Sequence, residues 1–199
     1  MATPVVAFVV VLVAVLAYPG FDHAHQYLSD LGSAKAPHPQ IFNLGILLAG
    51  LGAAAGGLGF GLALNALGSA RLPAVVTTAA FGLAGFGLVA AGLYPSPDPR
   101  HLAINFALGI QVAPLCLVWG LVKVEGVADL RRFLIAVFAA MVLLTLITKS
   151  LIFKGLVGDG NVGWWERGFA VVLVGWTGVA AWALERRLAR LEASNFSNS

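Results

Sequence analysis

The stretch FDHAHQYLSDLG, residues 21–32, holds two of the four histidines and two of the nine acids in a chain of 199 residues. Histidine, carboxylate, serine and glutamine at this density are what general acid–base chemistry, metal ligation or head-group recognition requires. Two further stretches are of the same kind. YPSPDPRHLAIN, residues 94–105, carries Asp98 and His101, and NVGWWERGF, residues 161–169, carries Glu166 and Arg167. A catalytic reading gives His23 and His101 the acid and base roles, with Asp30 and Glu166 orienting them. Gln26, Ser29, Asn43 and Asn105 would hydrogen-bond a substrate, and Lys149 or Arg167 would hold an anionic group. A metal reading takes His23, His25, His101 and Asp98, with Asp22 or Glu166 as other acids, as a zinc set with one open position.

Bland readings stand beside these. Asp98 before Pro99 is a good helix cap, since an aspartate accepts from free first-turn amides and proline suits the first helical position. Lys149 would snorkel to a membrane interface. Trp164 and Trp165 would be interface anchors. There is no HExxH and no paired CxxC, so the metal set rests on no spaced signature. Ser29 lacks a nucleophile-elbow sequence, and no pair of histidines sits in the middle of facing apolar runs to hold haem.

The elements that must position these groups are apolar. Hydrophobic residues make up 59% of the chain and charged residues 11%, against about 25% charged in average soluble domains. About 20 apolar residues cross a bilayer as a helix. Six stretches approach that length: 3–19, 40–66, 72–94, 101–123, 132–153 and 164–187. The expectation is an all-α integral membrane protein, a single six-helix bundle over residues 1–199. Residues 22–31, free of Gly and Pro and followed by Gly32, predict a short interfacial helix. On it His23, Gln26, Tyr27 and Asp30 would share one face, and His25 and Ser29 another.

Arg71, Lys123, Arg131, Arg132, Arg186, Arg187 and Arg190 fall at one end of this bundle. Lys35, Arg100, Lys149, Lys154 and Arg167 fall at the other. The positive-inside rule then predicts both termini in the cytoplasm, in a bacterial inner membrane. All four histidines lie at the opposite end. The net charge of +3 is too small and scattered for nucleic acid. Ala49, Ala53, Gly57 and Gly61 form a small-residue stripe for close helix approach, as do glycines of the third and sixth spans. Tight internal packing and an oligomer face are both open uses. The lone Cys116 reads as a small buried hydrophobe. No acid lies at mid-membrane, which disfavours an ion-coupled carrier. Membrane lipids are the expected partners, and an amphipathic substrate in an outward pocket is the leading reading. A non-catalytic lipid-binding, sensing or assembly module is the alternative.

YPGFDHAHQYLSDLGSAKAPHPQIFNLG resembles the opening of the bacterial membrane family called domain of unknown function 998. The resemblance rests on Tyr18, Pro19, Gly20, His23, Gln26, Ser29, Asp30, Leu31 and Gly32. Family members usually have glutamate where this chain has Asp30. A later proline-rich turn and histidine are matched by Pro95, Pro97 and His101, and a late polar pair by Glu166 and Arg167. Cysteines often seen in that turn are absent. The resemblance implies a six-span bundle and no particular reaction. More distantly the pattern is similar to the DRAM and FGF-receptor-activating membrane proteins, some tied to lipid remodelling.

Overall fold

Long apolar runs in this chain become helices, and polar, glycine and proline segments become the turns between them. The computed structural model describes residues 2–103 and 107–197. Its helices are α1 (Ala2–Leu16), α2 (Pro39–Ala66), α3 (Arg71–Leu93), α4 (Pro99–Ala103), α5 (Ala107–Gly120), α6 (Ala128–Thr148) and α7 (Val162–Ser197). Among the described residues there is no strand. Four helices are long and apolar enough to cross a membrane: α2, α3, α6 and the Val162–Ser194 part of α7. Apolar helices of 10–17 residues at Thr3–Leu16 and Leu108–Gly120 accompany them. Leu48, Leu58, Leu62, Val75, Phe86 and Val171 are exposed, as expected where hydrocarbon, not water, is the solvent.

Packing follows chain order. α1 lies on α2, α2 on α3, α3 on α5, α5 on α6 and α6 on α7, with α7 returning to touch α1 and α2 lightly. The α2–α3 contact is the most extensive. It depends on Gly50 and Gly85, which face each other's backbone. A Cβ on Gly50 would lie 2.6 Å from the Gly85 carbonyl, and one on Gly85 2.5 Å from that of Gly50. Two glycines here let the helix axes approach as no larger pair would. The main core gathers Leu64, Leu117, Leu121, Leu134, Met141 and Leu184. Phe60, Phe81 and Trp176 stack within it, the Phe60–Phe81 centroids 4.9 Å apart. A smaller core of Ala14, Phe21, Leu31 and Phe42 anchors the loop after α1.

The helix limits depart from the sequence expectation in five places. Residues 22–31 do not form a continuous helix. A turn closes from Asp22 to Gln26, Tyr27 is extended, and a five-residue 3-10 turn follows at Leu28–Gly32. Asp22 caps the first turn by accepting from the amides of Ala24 and His25, and extended Tyr27 ends it. α6 starts and ends earlier than 132–153. Ser150 and Phe153 have positive φ, and Thr148 bonds back to the Leu144 carbonyl at 2.8 Å. α7 continues past 187 to Ser197, through ERRLARLEA, whose residues favour helix without needing a membrane. The fourth span, expected over 101–123, ends at Gly120. Last, α1 ends at Leu16, short of 19. Val10 packs on Gly45 and Thr3 on Gly52. Thr3 therefore lies about 20 Å along the roughly 42 Å length of α2.

Candidate functional site

The loop after α1 is tied to the first turn of α7. The Gly163 amide donates to the Ala24 carbonyl at 2.8 Å. A Cβ at Gly163 would lie 2.4 Å from the His23 carbonyl oxygen and 2.6 Å from that of Gln26. Only glycine lets the helix and loop backbones approach so closely. Through this gap passes Arg167. Its Nη1 donates to the carbonyls of Gln26 (3.0 Å) and Gly163 (2.6 Å), and its Nε donates to His23 Nδ1 (3.2 Å). A guanidinium only donates, so His23 Nδ1 offers a lone pair here and the ring proton sits on Nε2. The His23 ring stacks on Trp164, centroids 5.7 Å apart, and meets the edge of Phe21 at 5.3 Å. Arg167 also lies 5.1 Å over the Phe21 ring. Its Nη2 is buried, with no hydrogen-bond partner among the described residues.

The rest of the loop satisfies itself. Asp22 accepts from the amides of Ala24 (2.9 Å) and His25 (3.2 Å) and pairs with His25 Nδ1 at 2.7 Å. The Ala24 amide, then that of His25, holds the Asp22 carboxyl below its ordinary range. Gln26 accepts from the Asp22 amide at 2.7 Å and reaches the Tyr18 hydroxyl at 3.4 Å. Asp30 caps the 3-10 turn by accepting from the Tyr27 amide at 2.8 Å. Asn43 donates from α2 to the Gly32 carbonyl at 2.9 Å.

Beside this knot opens a cavity of about 1090 Å³, bordered by α1, α2, α3 and α7. Tyr27, Ser29, Asp98, His101 and Glu166 form its rim at the histidine end. Its walls are mostly small or apolar, among them Gly52, Gly56, Phe81 and Leu173, and Glu185 stands at the far mouth. From Glu166 to Glu185 is about 28 Å along α7, close to the roughly 30 Å hydrocarbon core of a bilayer. Glu166 and Arg167 are neighbours in sequence and serve different sites. Glu166 borders the cavity and accepts from the Leu28 amide, while Arg167 enters the loop knot.

The rim histidine is oriented by backbone. His101 Nδ1 meets the Tyr94 carbonyl at 2.9 Å. A carbonyl only accepts, so Nδ1 carries a proton and Nε2 is the other face of the ring. Asp98 caps α4 as its sequence predicts, accepting from the Arg100 amide at 2.8 Å. The Arg100 guanidinium grips both its oxygens, at 2.9 and 2.7 Å. That grip holds the Asp98 carboxyl down to about 2. Arg100 in turn lies 3.9 Å over the Tyr94 ring.

Thus Ser29, Asp98, His101 and Glu166 come together at the cavity rim, and Asp30 is close enough for its charge to act on Glu166. His23, Gln26 and Arg167 gather in the knot. His25 faces outward on Asp22, and Asn43 serves the loop. Lys149 is exposed at the end of α6 and does not border the cavity. Asn105 lies outside the described residues. The candidate zinc set is not assembled. Among the described residues no three His, Cys, Asp or Glu side chains gather as ligands. His25 is taken by Asp22, Asp98 by Arg100, and His23 Nδ1 by Arg167. These donors do not fit a zinc ion. Sequence reasoning passed over Gly163, Phe21, Tyr94 and the cavity glycines. Only Gly163 had a visible signal, as a small residue directly before a Trp-Trp-Glu-Arg run.

A family model described as protein of unknown function, DUF998, matches residues 1–183. The chain belongs to the DUF998 family. No curated protein and no solved structure matches it. The matched span contains every residue of the knot and all of the rim. In this DUF998 chain Tyr18, His23, Gln26, Asp30 and Gly32 all build the loop and its anchor on α7 or α2. Ser29 and His101 instead face the cavity mouth.

Proposed function

We propose that this DUF998 protein binds one amphipathic membrane molecule, its chain in the cavity and its head group at the rim of Tyr27, Ser29, Asp98, His101 and Glu166. The supporting observation is a single cavity that is polar at one end and apolar for about the thickness of a bilayer beyond it. Its volume, about 1090 Å³, lies just above the range of small-molecule sites, about 300–1000 Å³. Small residues on α2 keep the space open. Gly56 and Gly59 would meet nothing within 4 Å if given a Cβ. Leucine at both positions should fill the cavity without disturbing helix contacts. Protein purified in a neutral detergent is extracted and its lipids counted by mass spectrometry. The Gly56→Leu/Gly59→Leu variant should lose most of its bound lipid at unchanged melting temperature. Equal lipid in both proteins would sink the proposal.

A hydrolase or transferase acting on that molecule is a second reading, favoured by the orientation of His101. Its Nδ1 is anchored, which leaves Nε2 to exchange a proton at the rim. His101→Gln would then abolish turnover while bound lipid stays. For topology, we propose that the six apolar helices stand together in the bilayer, with the arginine-rich end cytoplasmic by the positive-inside rule.

A further inference from the structure

The charge around the cavity narrows the occupant. Among the described residues bordering it, Asp98, Glu166 and Glu185 are acidic, and none is lysine or arginine. The cations nearest the rim are committed elsewhere. Arg100 is clamped on Asp98 and stacked on Tyr94. Arg167 spends Nε and Nη1 on His23, Gln26 and Gly163. Lys149, which sequence had offered to an anionic head, is away from the cavity. Asp98 is paired with Arg100, so Glu166 is the rim acid without a salt-bridge partner among the described residues; Asp30 adds negative charge near it, and its neighbour Arg167 positive charge. A phosphate or sulfate head would meet this carboxylate at close range, and no described lysine or arginine borders the cavity to receive it. A cationic head would find both a carboxylate and the Tyr27 and Ser29 hydroxyls. Resting on the amphiphile reading above, we propose that the cavity selects a cationic amphiphile, a long-chain amine or quaternary ammonium lipid, and that Glu166 is the residue that selects it.

The test uses the full chain in a neutral maltoside detergent. It is titrated with tetradecyl trimethylammonium, tetradecyl sulfate and a tetradecyl maltoside, reading tryptophan fluorescence. The cationic ligand should bind about tenfold or more tightly than the sulfate. Raising salt should shrink that margin. Glu166→Gln keeps an acceptor for the Leu28 amide and removes the charge. It should bring the two charged ligands to near equality while maltoside binding is unchanged. Should that variant fail to fold, the wild-type ranking and its salt dependence still decide the matter. Equal binding of all three to the wild type would overturn the cation preference and leave the amphiphile reading standing. Tighter sulfate binding would overturn it too and point to the unpartnered Nη2 of Arg167. Binding of none would overturn both.

Discussion

At the residue scale, two adjacent side chains on α7 divide the work. Arg167 is a structural cross-link and Glu166 a rim group, which their sequence adjacency does not reveal. Arg167→Ala should lower stability by about 2–3 kcal/mol, since its hydrogen bonds are charge-assisted and partly buried. Arg167→Lys should recover little of this, because an ammonium lacks the fork that reaches His23, Gln26 and Gly163 together. Detergent melting curves decide it, and a lysine variant as stable as wild type would refute the cross-link. Gly163→Ala should cost about 1–3 kcal/mol by forcing helix and loop apart. At Asp98 the folded carboxyl lies at about 2 against an ordinary 3.8. A depressed carboxylate stabilises the fold above its ordinary value and stops doing so as pH falls through the folded one. The Asp98–Arg100 clamp therefore contributes unchanged from pH 8 to 5 and is lost between about pH 4 and 2. Asp98→Asn should flatten the melting curve's dependence on pH in that acid range and leave the range above pH 5 alone.

At the element scale, the helices were largely legible and the loop was not. Hydropathy located α2 and α3 to within a residue, because long apolar runs in lipid have few alternatives to helix. It missed the ends of α6 and α7. The chain after Thr148 leaves helix through two positive-φ residues that look unremarkable in sequence, and α7 continues on charged residues that hydropathy ignores. The segment 22–31 looked helical because nothing in it breaks a helix outright. The competing event was local. Asp22 capped a single turn, extended Tyr27 ended it, and Asp30 capped a second turn three residues back from itself. The same residues were offered to catalysis, and their composition alone could not separate these roles. His101 and Glu166, 65 positions apart, meet the same rim through helix topology that no local pattern encodes. The α2–α3 interface gives the sharpest element-scale prediction. Gly85→Ala sets a methyl against the Gly50 carbonyl and should destabilise markedly, whereas Gly82→Ala, with nothing within 4 Å, should be neutral. Similar melting of the two variants would contradict this packing.

At the scale of the whole molecule, charge and helix direction agree. The turns at Leu67–Ala70 and Leu121–Val127 and the end of α7 share one end of the bundle, where Arg187 donates to the Glu125 carbonyl at 3.1 Å. The histidine loops share the other. With Cys116 replaced by serine, a cysteine at Arg71 should label only from the cytoplasm and one at Asp159 only from outside. The reverse pattern would invert the orientation. Two α2 glycines bear on how the molecule would meet its ligand. The cavity wall includes Gly56 and Gly59, where an added Cβ would meet nothing within 4 Å. A chain entering there would come sideways from the surrounding leaflet rather than from water. Occupancy would then follow the ligand's mole fraction among the lipids, and diluting the whole preparation with buffer would not empty the site, whereas diluting it with more bilayer would.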